Sequence, residues 1–183
     1  MEQLLHREQG LAFFCSDTFD GSMLLPILRN LTAKAAQEWD DYDELYHCTH
    51  LIEAARRDPS LHMDFHTMLR DSQVAGIGLM THGAIRQPLF FPPHLLPQEP
   101  QVGLLVFNYF HIAPDARGVG RHWLRDIILP HYRAQGYRAV YVKSSHQQAF
   151  SLYHSLGEPI GSYTSKSDNG LYTRSGLMFR IPL

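Results

Sequence analysis

Residues Phe110–Gly120 read FHIAPDARGVG, and residues Ala149–Gly157 read AFSLYHSLG. The first stretch closes a strongly apolar run, Val102–Ile112, which predicts a central strand. Pro114 to Gly120 predicts a loop, and Arg121–Gln135 a helix with Trp123, Leu124, Ile127 and Ile128 on its apolar side. Glycines in such a loop let backbone approach a ligand closely. The first helical turn offers unpaired N–H groups at the positive end of the dipole. A pyrophosphate suits the amides of Gly118, Val119, Gly120, Arg121 and His122, with Arg117 or Arg121 adding charge-assisted bonds. A plain tight turn accounts for the same residues. The loop is not a Walker loop, because no Gly-Lys-Ser/Thr follows. It lacks the third glycine of the Rossmann fingerprint.

Upstream, Leu11–Ser16 predicts a short buried strand. Ser22 is placed to cap a helix running to about Glu38, and a second helix covers Tyr42 to Arg57 until Asp58 and Pro59 end it. Leu61–Leu69 then alternates as a half-buried strand, and Arg70–Gln73 turns it into Val74–Met80. Residues 85–101 hold Pro88, Pro92, Pro93, Pro97 and Pro100, which exclude a central strand and predict an ordered insertion. Downstream, Pro130 is expected to kink or end its helix, and Gly136 to stop it. Arg138–Lys143 predicts a strand, Gln147–Leu156 a short helix, and Ile160–Thr164 and Leu171–Arg180 two closing strands. This order predicts one mixed α/β domain over residues 1–183, with 85–101 inserted between its third and fourth strands.

Composition agrees with a single packed domain. The 183 residues are 44% hydrophobic and 19% charged. Sixteen Lys and Arg against 18 Asp and Glu leave a net charge of −2, which excludes the basic footprint of a general nucleic-acid binder. Cys15 and Cys48 are too few for a disulfide framework. No apolar run reaches a membrane span, and Met1–Glu8 has acids where a signal peptide needs basic residues. A cytoplasmic protein without membrane partners is the expectation. His62, Asp64 and His66 share one strand face, and His47 and His50 lie one helical turn apart. Both groups read as polar faces, so no metal is expected.

Taken together, order, spacing and residues resemble the Gcn5-related N-acetyltransferases. Phe110–Gly120 is similar to that family's fourth strand and acetyl-CoA loop. Ala139–Lys143 followed by Ala149–Gly157 is similar to its fifth strand and its A-x-x-L-Y-x-x-x-G stretch. Three positions depart from the usual pattern: His122 at the end of the loop motif, His146 in place of Asn, and Glu158 in place of Phe. The resemblance implies a mostly antiparallel mixed sheet flanked by helices and splayed between its fourth and fifth strands. It also implies acetyl transfer from acetyl-CoA, as co-substrate, to a primary amine by direct attack in a ternary complex.

An amine with a pKa near ~10 is protonated at neutral pH and must lose that proton before it attacks. His111, on the central strand, is the candidate base, with Asn108 or a water chain as rivals. Because neighbouring strand residues face opposite ways, either His111 or Phe110 and Ile112 face the cleft. The resemblance makes an amide between Phe110 and Ile112 the oxyanion donor and Tyr153 the acid for the departing thiolate. Tyr153 also reads as a core tyrosine on an apolar helix face.

Five acids and two aromatics, Glu38 to Glu44, fall where the family's first helices border the acceptor. Asp40 and Asp43 are the candidate contacts for a cationic amine, whether small molecule or peptide. A solvated, acid-rich helix start explains the same stretch. The 85–101 insertion either caps the cleft or forms a homodimer contact. The alternative to an enzyme is a non-catalytic acyl-CoA-binding or interaction module on the same fold.

Overall fold

A computed structural model describes residues 2–35, 44–96, 103–167 and 170–183. Its strands are β1 (Gln3–Glu8), β2 (Leu11–Ser16), β3 (Leu61–Arg70), β4 (Gln73–Gly83), β5 (Leu105–Ile112), β6 (Ala139–Ser144), β7 (Glu158–Lys166) and β8 (Thr173–Pro182). They form one sheet in the order β1-β2-β3-β4-β5-β6-β8-β7. Neighbours are antiparallel except for the parallel pair β5–β6. The helices are α1 (Leu25–Ala35), α2 (Glu44–Arg57), α3 (Gly120–His122), α4 (Leu129–Ala134) and α5 (Phe150–His154).

Both faces of the sheet are covered, which explains why its central strands are apolar at nearly every position. On one face, Phe13, Met68, Phe107 and Phe179 pack against Trp123, Leu124 and Ile128 of the 120–134 helical segment. On the other, Met63, Phe65, Leu79, Val106 and Tyr141 pack against Ile27 of α1 and Cys48 and Leu51 of α2. In α2 the buried residues Cys48, Leu51, Ile52 and Ala55 recur at helical spacing, so one stripe meets the sheet. The β3–β4 hairpin turns at Asp71 and Ser72, whose φ values of 49° and 64° are those of a mirror-image two-residue turn.

The structure adds to the sequence reading in four places. The edge strand β1 was not anticipated, because it is mostly exposed and pairs along one side, with β2. The first helix starts as a 3-10 turn, Gly21–Leu24, capped by Asp20, whose Oδ1 accepts from the Ser22 amide at 2.9 Å. At Pro130 the helical segment changes type. Trp123–Ile128 is π-helical, and α4 resumes at Leu129 with the proline in its first turn, where a missing N–H costs least. The described part of the 85–101 insertion is buried in the second core through Ile85, Phe90 and Phe91. Among the described residues no helix is long and apolar enough to cross a membrane.

Candidate active site

The parallel contact between β5 and β6 is short. Val106 pairs with Tyr141 and Phe107 with Val142, and from Asn108 onward β5 has no registered partner in β6. The two strands therefore splay apart where β5 runs on to Ile112.

The splay coincides with a bulge. On the β4 side, Leu79 opposes Tyr109 and Met80 opposes Phe107, so Asn108 is the extra residue. An extra residue inverts the in-out alternation beyond it. Phe107, Phe110 and Ile112 consequently share the core under the 120–134 helical segment, while Tyr109 turns to the α1–α2 side. His111 alternates with Phe110 and Ile112 and reaches α2. The bulge thus settles which way the end of the strand faces. The Asn108 Nδ2 donates to the Phe90 carbonyl at 3.2 Å, and the Lys143 Nζ donates to the Leu89 carbonyl at 3.0 Å. Both bonds tie the proline-rich segment across the splayed strands.

His111 Nδ1 lies 2.7 Å from Oε1 of Glu44, with side-chain exposures of 6% and 14%. A carboxylate only accepts, so the proton of this bond sits on Nδ1. His111 Nε2 has no hydrogen-bond partner among the described residues. The ring lies parallel to that of Tyr109, with centroids 6.5 Å apart. The Ala113 amide donates to the Ala75 carbonyl at 2.8 Å, extending the ladder to β4. Ladder alternation then turns the His111 amide toward β4 and the amides of Phe110 and Ile112 toward the splay.

The loop after β5 has two glycines with different jobs. Gly118 has φ of 98° and open space where a Cβ would be, so it is needed for backbone conformation. A Cβ on Gly120 would stand 3.1 Å from Ile112 Cδ1 and 3.3 Å from Phe110 Cε1, so glycine lets the helix start pack on β5. The Trp123 amide donates to the Val119 carbonyl at 2.9 Å. The amides of Gly120, Arg121 and His122 precede that bond in the first helical turn. Arg117 and Arg121 are exposed beside them, an arrangement of amide donors and cations that suits an anion. The His122 ring turns toward β1, with Nε2 2.5 Å from Glu8 Oε1 and Nδ1 2.8 Å from Asp126 Oδ2.

Tyr153, on α5, is buried with its ring centroid 5.4 Å from that of Phe179. Burial raises its pKa above that of an ordinary tyrosine, so it keeps its proton at neutral pH. A Cβ on Gly157 would collide with the Arg180 carbonyl, which explains the glycine that closes this stretch. Asp40 and Asp43 lie outside the described residues. Of the acidic run only Glu44 is described, and it is the partner of His111. The bond spans 67 positions in sequence and carries no local signal.

His62, Asp64 and His66 do share a face, and α4 covers its far end. His66 Nε2 is 2.8 Å from the Tyr132 hydroxyl, which donates to Asp64 Oδ2 at 2.7 Å. His82 Nε2 lies 3.3 Å from the same Asp64 oxygen. Desolvation pushes the His66 pKa down to about 3. The His47 ring rests 6.4 Å from Tyr109, and the His50 ring 6.2 Å from Tyr46.

No protein-family model matches this sequence, and no curated protein sequence matches it. Solved structures match its backbone over nearly its full length. A ribosomal-protein-alanine N-acetyltransferase from Brucella melitensis is 19% identical, with 92% of this chain and 99% of that chain covered at a TM-score of 0.52. A protein from Chromobacterium violaceum, assigned to the GNAT family of acetyltransferases, is 11% identical, with 96% and 89% covered at 0.59. The fold is that of the Gcn5-related N-acetyltransferases. A third match, a Salmonella typhimurium protein assigned as an acetyltransferase and solved with its cofactor acetyl-CoA, is 14% identical, with 96% and 95% covered at 0.54. In this acetyltransferase fold the β5–β6 splay, the Arg117–His122 loop and Tyr153 fall on the stretches whose sequence resembles the family. Of the Glu44–His111 pair, His111 falls within them and Glu44 outside.

Proposed function

We propose that this protein is an N-acetyltransferase that moves an acetyl group from acetyl-CoA to a primary amine by direct attack in a ternary complex. The observation that carries the reading is the coincidence of three features at one strand end. These are a splay between β5 and β6, a helix-start loop of free amides with two arginines, and a buried histidine paired with a carboxylate. The thioester supplies an activated acyl carbon when the co-substrate is bound.

The chain's own residues then have separable tasks. The amides of Gly118 to His122, with Arg117 and Arg121, hold the pyrophosphate. The amides of Phe110 and Ile112 are the donors for a developing oxyanion. His111 takes a proton from the incoming ammonium at Nε2, while Glu44 holds the ring's tautomer through Nδ1 and stabilises the imidazolium. Tyr153 enters the reaction protonated and gives its proton to the departing sulfur. Much of the acceleration comes from holding two substrates in line within a dry gap.

The acceptor approaches from the α1–α2 side, under residues 85–96 of the insertion, which cap that side of the cleft. Asp40 and Asp43, in the acidic run that precedes α2, steer a cationic amine there. A panel of small-molecule and peptide amines, incubated with acetyl-CoA and read by thiol release, tests the reading. Turnover with at least one primary amine, fastest for those with additional positive charge, is the expected result. CoA binding without transfer to any amine would leave the non-catalytic acyl-CoA module as the function of this fold.

A further inference from the structure

A second cluster of ligating side chains lies away from the splay, between the edge strand and the helix start. His6 and Glu8 are two residues apart on β1 and so share a face. His122 faces them from α3. One ligating atom from each of the three lies within 4.8 Å of the other two. His6 Nε2 stands 3.4 Å from Glu8 Oε2, and His122 Nε2 2.5 Å from Glu8 Oε1. Ligands bound to tetrahedral zinc at about 2.0–2.2 Å sit roughly 3.3–3.5 Å from each other, so side-chain adjustment suffices to close the set.

The surroundings of His122 argue for a cation. Asp126 Oδ2 accepts from Nδ1 at 2.8 Å, and Arg125 holds the same carboxylate through Nε and a terminal guanidinium nitrogen at 2.7 and 2.8 Å. With Nδ1 engaged by Asp126, Nε2 is the ring atom turned to Glu8. A carboxylate behind the outer nitrogen is the usual support of a metal-bound histidine.

We propose that His6, Glu8 and His122 bind one divalent transition-metal ion of the zinc class, with the fourth position open to water. Two imidazoles and one carboxylate suit zinc, nickel or copper and do not suit calcium or magnesium. Side-chain exposures of 45%, 33% and 38% leave an entry path. The ion ties the weakly held β1 to the first turn of the 120–134 helical segment. The site neither requires nor supplies the acetyl-transfer reading.

The test is titration of the metal-free full chain with Zn²⁺ against a chromophoric chelator, using wild type, His6→Ala, Glu8→Gln and Asp126→Asn. His6 is on an exposed edge, so its truncation leaves both cores intact. The wild type is expected to bind one equivalent that His6→Ala and Glu8→Gln lose. Asp126→Asn should weaken that equivalent roughly tenfold to a hundredfold. Co²⁺ in its place should give the absorption of a tetrahedral site, and zinc should raise the melting temperature of the wild type but not of His6→Ala. Equal zinc stoichiometry and affinity in wild type, His6→Ala and Glu8→Gln would overturn the site and leave His122 as an imidazolium bridging two carboxylates.

Discussion

His111 and His66 sit on the two strands that flank β4, both buried and both joined to an acid network, yet they occupy different kinds of place. His66 is wholly enclosed beneath α4, with Tyr132 relaying its hydrogen bond to Asp64. Desolvation there holds the ring neutral and removes its use as a base near neutral pH. His111 bonds its carboxylate directly, at the end of a strand whose neighbour has moved away. Burial and an acidic partner are therefore common to a structural histidine and a candidate base. What distinguishes the second is its position beside a gap.

That contrast can be broken at its strongest point first. His111→Ala should lower kcat by about 10²–10⁴-fold, the range of a general base. Steady-state kinetics across pH checks it, and an acidic limb identical to that of the wild type would argue against His111 as the base. Tyr153→Phe should lower kcat by about a hundredfold, at the low end of the same range, while the KM for acetyl-CoA stays within a few-fold. Glu44→Gln should cost roughly tenfold in kcat, the lower end of what a hydrogen bond to a charged group contributes, and should shift the acidic limb.

The sealed histidine should do the reverse, moving stability and not rate. Its folded pKa of about 3 lies below the unfolded value of ~6.5, so its stabilising contribution is complete above ~6.5 and is lost as pH falls toward 3. Between pH 7 and pH 5 the wild type should lose about 2 kcal/mol more than His66→Gln, measured by urea unfolding. kcat should be the same in both near neutral pH.

Much of the fold was legible because its signals are local. The alternation of Leu61–Leu69, the apolar run ending at Ile112 and the glycines at 118, 120 and 157 each announce one element. What escaped was nonlocal. β1 is a polar edge strand, defined by pairing rather than by its own residues. The Asn108 bulge appears only when β4 and β5 are laid side by side, and without it His111 would face the other core. Glu44 was visible as one acid among five, and its bond to His111 depends on how α2 crosses the sheet. The His122 side chain stood out only as a departure at the end of the loop motif, and its partner Glu8 comes from β1. The π-helical turn just before Pro130 has no composition signature.

The most direct measurement is amide hydrogen exchange, read residue by residue, with and without CoA. Slowed exchange is expected at Gly118 to His122 and at Phe110 and Ile112, with no change around His66, Tyr132 and Asp64. Protection centred on the β3–α4 cluster, or none in the Arg117–His122 loop at saturating CoA, would contradict that expectation.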